Sequence, residues 1–175
     1  RQTEAALRRR ENILQATHYA AKQFLRFSAW ESSLQEALSR VGAGAEVSRA
    51  YVFRNHVGPS GVVLTSQCAE WAAQGIQPQM DNPELQDFNW AQRGFERWTE
   101  VLGHGDILAG CVVHFPASER SLLERHGILA IAVVPIQLRG AWWGFVGFDD
   151  CQQARCWAAA ELGALQLLAE LLGAA

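Results

Sequence analysis

The segment Trp142–Asp150, with the sequence WWGFVGFDD, determines the fold class of this 175-residue chain. It follows a second apolar segment, Ile128–Arg139, and a turn at Arg139-Gly140 separates the two. In each segment apolar side chains occupy both alternating faces, and a strand that is apolar on both faces is buried on both faces. Residues Ile128–Arg139 and Ala141–Asp149 are therefore predicted to be two antiparallel central strands with helices on either side.

The rest of the chain supplies helices for both faces of this sheet and further strands. Apolar residues at helical spacing mark the helices, and alternating residues mark the strands. Asn82-Pro83 has the form of a helix N-cap followed by the first helical residue, and an apolar face continues from there to Leu102. Gly94 in the middle weakens this helix and could split it in two. Short turns between successive strands favour an antiparallel sheet in a three-layer α/β/α arrangement. Helices are predicted over residues 1–27, 29–41, 82–102, 118–126 and 156–172, and further strands over 46–55, 62–72 and 107–113.

Composition and charge exclude several classes of protein. Apolar residues make up 49% and charged residues 19% of the chain, which is typical of one folded domain. The formal net charge of -3 and the lack of a clustered basic face give no reason to expect a nucleic-acid partner. Four cysteines are too few for a disulfide scaffold of this size. With no signal peptide and no apolar run that could insert into a membrane, we expect a fragment of a longer cytoplasmic protein.

Short motifs spread along the chain carry a family resemblance. In chain order they are Ser48–Phe53, Glu70-Trp71, Gly75–Gln79, Gly94–Trp98, Leu102–Gly105, Phe115–Arg120, Gly127-Ile128, Val133–Ile136, Trp142–Asp150 and Arg155–Trp157. Together, over about Ser28 to Gly173, they resemble the GAF domains of bacterial histidine kinases and cyclic-di-GMP enzymes.

The resemblance implies a profilin-like α+β fold with a central antiparallel sheet of five or six strands. The end helices should pack on one face of this sheet, and insertions within 72–116 should cover a pocket on the other. Residues 1–27 would form an N-terminal signalling or linker helix. Residues 28–175 would form the sensor domain, which ends in a C-terminal output helix.

The chain lacks the motifs of several ligand-specific members. The Asn-Lys-Phe-Asp-Glu signature of cyclic-nucleotide-binding GAF domains is absent, and so is the Cys-His pair that often carries a covalent bilin. The cysteine pattern of GAF-fold methionine-sulfoxide reductases is not recognisable. The resemblance therefore implies an unknown small-molecule ligand, and the cofactor remains unidentified.

Candidate pocket residues come from predicted strand facing and from the aromatic cluster of the insertion. Ligand pockets are apolar with a few placed polar groups, so rings from this cluster could line the pocket and nearby polar side chains could contact the ligand. Aromatic residues at helical spacing also fit an ordinary core, and that alternative stays open. The candidates are Arg49, Tyr51, Phe53, Glu70, Trp71, Phe95, Arg97, Trp98 and Phe115, with Trp90 in the same aromatic cluster.

Asp149 and Asp150 directly follow a buried strand, and Arg155 lies five or six residues further on. We predict a structural ion pair that holds the turn before the last helix. The alternative is an acid/base pair or a metal site, but no third ligand follows nearby. No histidine or cysteine has metal-site spacing, and no nucleotide-binding, hydrolase or kinase motif is present, so we expect neither a metal nor an enzymatic activity.

The predicted function is a regulatory sensor that passes a signal through its end helices to a covalently linked output domain. Broad apolar stripes on the end helices favour a homodimer held by a helical bundle. A ligand-free dimerisation scaffold is the second interpretation. A third is a haem or thiol sensor that uses His114, Cys68 or Cys111, although Cys68 and Cys111 are expected to be buried and Cys151 and Cys156 to be more exposed.

Overall fold

The computed structural model describes residues 2–26 and 30–174 of the chain. The predicted central hairpin is present, and its turn at Arg139-Gly140 has φ angles of 52° and 79°. Within the described residues the helices are α1 (Gln2–Arg26), α2 (Trp30–Gly44), α3 (Glu96–Gly103), α4 (Ala117–Arg125) and α5 (Ala159–Ala174). The strands are β1 (Arg49–Val57), β2 (Val63–Ala72), β3 (Phe88–Asn89), β4 (Leu108–Cys111), β5 (Ala130–Leu138) and β6 (Ala141–Asp150).

The six strands form one sheet in the order β3-β2-β1-β6-β5-β4. Every neighbouring pair is antiparallel. The strands with the most apolar sequences, β1, β5 and β6, lie at the centre, where both of their faces are covered. This sheet, with helices on each side, confirms the predicted α+β class and the three-layer arrangement.

The sheet separates two hydrophobic cores. On one face α2 and α5 pack against the strands, and α1 packs on both of these helices; Leu38, Val52 and Phe148 belong to this core. On the other face α3, α4 and the segment 73–95 cover an aromatic core that includes Trp98 and Phe145. The two cores use alternate residues of the same strands, as the side-chain alternation of a strand requires.

Residues 82–102 differ from the helix predicted there, although the break considered at Gly94 is present. Asn82 does act as an N-cap, since its Oδ1 accepts a hydrogen bond from the backbone N–H of Glu84, but the helix is only the 3-10 turn Pro83–Leu85. Residues Phe88–Asn89 then pair with the edge of β2, and α3 begins at Glu96. Positive φ values of 49° at Asp87 and 81° at Gly94 interrupt helical geometry on both sides of this short strand.

The last helix also begins later than predicted, at Ala159 instead of Cys156. Residues 151–158 form a connection with no regular structure, in which Arg155 donates to the backbone carbonyls of Ala45 and Glu46 between α2 and β1. Within the described residues, no helix is long and apolar enough to cross a membrane.

Candidate functional site

A cavity of about 60 Å³ lies between the aromatic face of the sheet and the segment 73–95, which we call the roof. This volume is enough for about four water molecules. Strands β1, β2, β5 and β6 supply one wall, and the roof with α3 and α4 supplies the other. The lining side chains are Arg49, Tyr51, Phe53, Thr65, Gln67, Glu70, Gln79, Leu85, Phe88, Trp90, Phe95, Trp98, Leu122, Leu123, His126, Ile128, Ile131, Phe145 and Asp149.

Aromatic rings form the apolar end of the cavity. Phe53 stacks on Phe145 across β1 and β6, with ring centroids 4.8 Å apart. Trp90 contacts Phe145 at 5.9 Å and Trp98 at 6.1 Å, and Phe95 meets Trp98 edge to face. Offset and edge-on packing of this kind stabilises a cluster beyond the area that it buries. The apolar end is therefore a rigid surface that suits a flat or compact hydrophobic group.

Alternation along β1 and β6 decides which residues reach the cavity. Arg49, Tyr51 and Phe53 lie on the cavity face of β1, and the residues between them belong to the opposite core. Gly147 of β6 lies opposite Tyr51, and a Cβ atom at Gly147 would come within 2.3 Å of the tyrosine ring. The glycine therefore provides the space in which the Tyr51 ring lies against the sheet.

A β-bulge sets the cavity face of β2. Val52 pairs with Ala69 and Phe53 pairs with Gln67, so that Cys68 is the extra residue of the bulge. In a regular strand, Gln67 and Glu70 would point to opposite faces, because they are three residues apart. The bulge brings both side chains to the cavity.

Charged groups form the polar end of the cavity. Asp149 accepts hydrogen bonds from Arg49 Nε at 3.1 Å and from the Tyr51 hydroxyl, and all three side chains are buried. Burial raises the pKa of Asp149 to about 6, against the lowering effect of Arg49 and Tyr51. Burial also raises the pKa of Tyr51 well above its ordinary value, so its hydroxyl stays a donor at neutral pH. At pH 7 the polar end holds an ionised Arg49–Asp149 pair.

The roof is attached to this polar end by hydrogen bonds. Arg49 Nη1 donates to the carbonyl of Gln77 at 2.7 Å. Glu70 accepts from the backbone N–H groups of Gln79 and Met80 at 2.8 to 2.9 Å. Two side chains of the sheet, Arg49 and Glu70, therefore hold residues 77–80 through backbone groups.

A second cluster of charges lies on the opposite side of the sheet, next to α1 and α5. Asp150, the residue after Asp149, has its Oδ2 3.8 Å from Arg155 Nη1. Arg155 Nη2 in turn donates to Glu161 Oε2 at 3.3 Å, and Arg9 Nε donates to the same oxygen at 2.7 Å. Glu161 is completely buried at the start of α5, and Arg9 belongs to α1. This end-helix cluster (Arg9, Asp150, Arg155 and Glu161) connects the sheet with both end helices.

Comparison with known proteins places the chain in a family. The GAF domain model matches residues 29–175. The chain belongs to the GAF domain family. The methanogenesis regulatory histidine kinase FilI of Methanothrix harundinacea is 34% identical over 169 residues, which are 97% of this chain and 19% of FilI. The chain thus spans about a fifth of the length of that curated relative.

Solved structures of other GAF domains share the fold. The phycocyanobilin-bound GAF domain from a cyanobacterial phytochrome superposes with a TM-score of 0.72 at 18% identity, covering 94% of this chain and 92% of that one. The far-red absorbing dark state of JSC1_58120g3 with bound biliverdin IXa has a TM-score of 0.69 at 16% identity, covering 91% and 96%. At such identities the likeness concerns the fold alone. The expected family and fold are thus confirmed.

Six of the nine pocket candidates line the cavity of this GAF domain: Arg49, Tyr51, Phe53, Glu70, Phe95 and Trp98. The other three lie elsewhere. Trp71 is on the opposite face of β2, where its ring fills the space beside Gly42. Arg97 pairs at 2.6 Å with the buried Glu119 and lies over the Phe115 ring, and neither Arg97 nor Phe115 lines the cavity. Sequence reasoning missed Gln67 and Asp149 as cavity residues.

The predicted ion pair at the end of β6 is divided between the two faces of the sheet. Asp149 pairs with Arg49, not with Arg155, because side chains at positions 149 and 150 point in opposite directions. Only Asp150 is near Arg155, and its Oδ1 also accepts from the N–H groups of Gln152 and Gln153 at 2.9 Å. Among the described residues no group of three or more His, Cys, Asp or Glu side chains could hold a metal ion.

The thiols and His114 do not line the cavity. Cys68 is exposed at the bulge, contrary to the expectation that it is buried, and Cys111 is half-buried. Cys151 lies beside the polar end, where its sulfur accepts from Arg49 Nη2 at 3.2 Å, and burial raises the pKa of its thiol. His114 is exposed at the end of the 3-10 turn Val112–His114.

Proposed function

We propose that this GAF domain is a regulatory sensor that binds a small molecule in the cavity and transmits its presence to the end helices. The observation that carries the proposal is the pair of adjacent carboxylates at the end of β6. Asp149 belongs to the polar end of the cavity, and Asp150 belongs to the end-helix cluster. One backbone segment therefore contacts both the proposed binding site and the proposed output.

Transmission starts at the roof. A ligand larger than the present cavity must move residues 77–80, which are held by Arg49 and Glu70. A change at Arg49 alters the position of Asp149, and the end of β6 moves with it. Coupling between two sites of this kind needs a differential affinity of only about 1–3 kcal/mol between the two states.

The end-helix cluster then receives the movement. Asp150 and Arg155 are near each other, and Arg155 contacts Glu161 at the first turn of α5. Because Glu161 also binds Arg9, a shift of Arg155 changes the position of α5 relative to α1. In the proposed arrangement residues 1–27 act as a linker helix, and α5 leads to an output domain in a cytoplasmic signalling protein of the histidine-kinase type.

Homodimerisation through α1 and α5 is part of the proposal. Leu7 and Leu25 of α1 are 52% and 89% exposed, and Leu167 of α5 is 48% exposed. These leucines lie outside the core that α1 and α5 form with the sheet. A second copy of the chain that packs on this surface would cover them, in the symmetric manner that is usual for homodimers.

Hydrogen exchange tests the transmission without knowledge of the ligand. Asp149→Asn perturbs the cavity side of β6, and we expect faster amide exchange in α1 near Arg9 and in the first turns of α5. In a protein that already carries Arg155→Gln, adding Asp149→Asn should cause no further increase of amide exchange in α1 and α5. Asp81→Asn, the same chemical change at an exposed position of the roof that does not line the cavity, is the matched control. Unchanged exchange in α1 and α5 of the Asp149→Asn protein would rule out the route.

A ligand-free dimerisation scaffold is the alternative, and the small cavity volume of about 60 Å³ favours it. Native mass spectrometry of gently purified protein separates the two functions. A non-covalent mass bound to each chain supports the sensor. A dimer mass with nothing bound, in several purifications, supports the scaffold.

A further inference from the structure

Two polar atoms in the cavity wall have no hydrogen-bond partner within residues 2–26 and 30–174: Gln67 Oε1 and Trp90 Nε1. The two side chains are only 3% and 4% exposed, and both line the cavity. Buried polar groups without a partner are destabilising, and native proteins retain few of them. We infer that Gln67 and Trp90 are the polar recognition groups of the site, an inference that rests on the sensory function proposed above.

The charged groups around the cavity are already paired. Arg49 donates to Asp149, to two backbone carbonyls and to the sulfur of Cys151. Glu70 accepts two backbone N–H groups of the roof. Burial lowers the pKa of His126, which keeps its imidazole neutral at pH 7. A charged ligand would have to enter an aromatic cavity that offers it no free counter-charge, and such a desolvation is costly.

Most of the remaining wall is hydrophobic, and its other polar side chains, Thr65 and Gln79, already take part in hydrogen bonds. The rings of Phe53, Phe145, Trp98 and Trp90 contact one another at the apolar end. Gln67 enters from β2, where the bulge at Cys68 sets its direction, and Trp90 directly follows the short edge strand β3. One unpaired atom therefore belongs to β2 and the other to the residue that follows β3.

These features together define the ligand class. The site takes an uncharged molecule with an apolar, preferably aromatic or compact, body and one hydroxyl or amide group. That group donates a hydrogen bond to Gln67 Oε1 and accepts one from Trp90 Nε1. A six-membered ring needs a cavity of roughly 150 Å³, so a ligand of that size also displaces the roof, as the proposed function requires.

The test uses three probes that have the same ring: phenol, toluene and benzoate. Phenol can donate and accept, toluene can do neither, and benzoate is an anion at pH 7. Binding to the full chain is followed in ¹H–¹⁵N spectra through the indole N–H signals of the tryptophans. Phenol should move the Trp90 indole N–H signal downfield, and benzoate should leave it in place. Trp157, whose Nε1 also lacks a partner among the described residues but does not line the cavity, is the internal control.

Two variants separate hydrogen bonding from ring packing. One protein hydrogen bond changes affinity about 2- to 10-fold. Gln67→Leu should therefore lower the ratio of phenol affinity to toluene affinity by about fivefold, and Trp90→Phe should lower it by a similar factor. Gln67→Leu should also raise the urea midpoint of the unliganded protein, because it removes a buried unpaired oxygen. Gln92→Leu, at an exposed position of the roof, is the matched control.

The outcomes distinguish the ligand class from the sensory function. A ratio of phenol to toluene affinity that is the same in the unaltered protein and both variants overturns the assignment of Gln67 and Trp90. Benzoate that binds more tightly than phenol overturns the neutral ligand class but leaves a sensory cavity. If no probe binds up to its solubility limit and no indole signal moves, the ligand class is overturned, and native mass spectrometry alone decides the sensory function.

Discussion

The hydrogen bond between Arg9 and Glu161 joins the first helix to the last, and its energy can be worked out from its surroundings. Glu161 is fully buried and accepts from Arg9 at 2.7 Å, from Arg155 at 3.3 Å and from the backbone N–H of Ala158 at 3.1 Å. Glu161→Gln keeps the shape but removes the charge. Loss of one partner from a buried ion pair costs about 3–5 kcal/mol. Because the Arg9 side chain is 17% exposed and can regain some water, we expect Glu161→Gln to lower the free energy of unfolding by an amount near the lower end of this range, about 3 kcal/mol.

Arg9→Gln is a smaller perturbation, because Glu161 keeps Arg155 as a partner. A hydrogen bond to a charged group contributes about 1.5–3 kcal/mol, so this variant should lower the free energy of unfolding by about 2 kcal/mol. The double variant loses the same contact only once, and its cost should be about 3–4 kcal/mol. The coupling energy from the double-mutant cycle should therefore be at least about 1 kcal/mol.

Urea unfolding followed by tryptophan fluorescence measures all four proteins, and the midpoint should move while the slope m stays constant. The exposed pair Arg40–Glu36, 2.9 Å apart, provides the control cycle. Its coupling should be below about 0.5 kcal/mol, as is usual for exposed i,i+4 pairs. If the Arg9–Glu161 coupling is as small as that of the control, the end-helix cluster does not fasten α1 to α5, and the reasoning is refuted.

Two further predictions concern the cavity. Because the folded pKa of Asp149 is raised to about 6 from the unfolded value of 3.8, the folded state binds the proton more tightly, and the contribution of Asp149 to stability decreases as pH rises from about 4 to 6. Asp149→Asn should remove this decrease, which urea midpoints across pH 4 to 7 will show; a parallel pH profile in variant and parent would contradict the assignment. Gly147→Ala should destabilise the protein, since the new Cβ would meet the Tyr51 ring at 2.3 Å, whereas Gly163→Ala in α5, with open space around it, should stabilise it by about 0.5–1 kcal/mol. Equal melting temperatures for these two variants would show that the Tyr51 ring moves freely.

The sheet could be predicted from the sequence because its strongest signals are local. The segment Trp142–Asp150 and the preceding segment are apolar on both faces, and only a strand covered on both sides accounts for that pattern. Helix α4 was also recognisable, because a glycine, Gly127, follows it, as is usual just after a helix C-terminus, and the φ of 75° there in the structure agrees with that role.

The central part of the chain could not be assigned in the same way. Apolar residues such as Phe88, Phe95 and Trp98 fit the face of one helix by their spacing, but the same residues fit a short strand and a later helix. The pairing of Phe88 with Thr65 and the positive φ of Asp87 result from long-range contacts. Local spacing does not contain that information.

The composition of the cavity was predictable only in part, for a reason that lies in β2. Strand alternation assigns Glu70 and Trp71 to opposite faces, but it does not tell which of them faces the cavity. That depends on the bulge at Cys68, and no residue at this position marks a bulge in the sequence. The same bulge brings Gln67 to the cavity wall, and the sequence pattern does not predict that position for it.

The bulge also gives this strand a means of changing the chemistry of the cavity without any change of amino acid. Before Cys68 the odd-numbered residues of β2 face the cavity, and after it the even-numbered ones do. Deletion of Cys68 would remove the bulge but leave Gln67 and Glu70 two positions apart, so both would still face the cavity. If Cys68 is kept and the bulge moves beyond Trp71, regular alternation continues from Gln67 through Ala69 to Trp71. The carboxylate of Glu70 then leaves the wall, and the indole of Trp71 takes its place. The position of one bulge in β2 therefore sets which side chains the cavity presents, while the rest of the sheet stays the same.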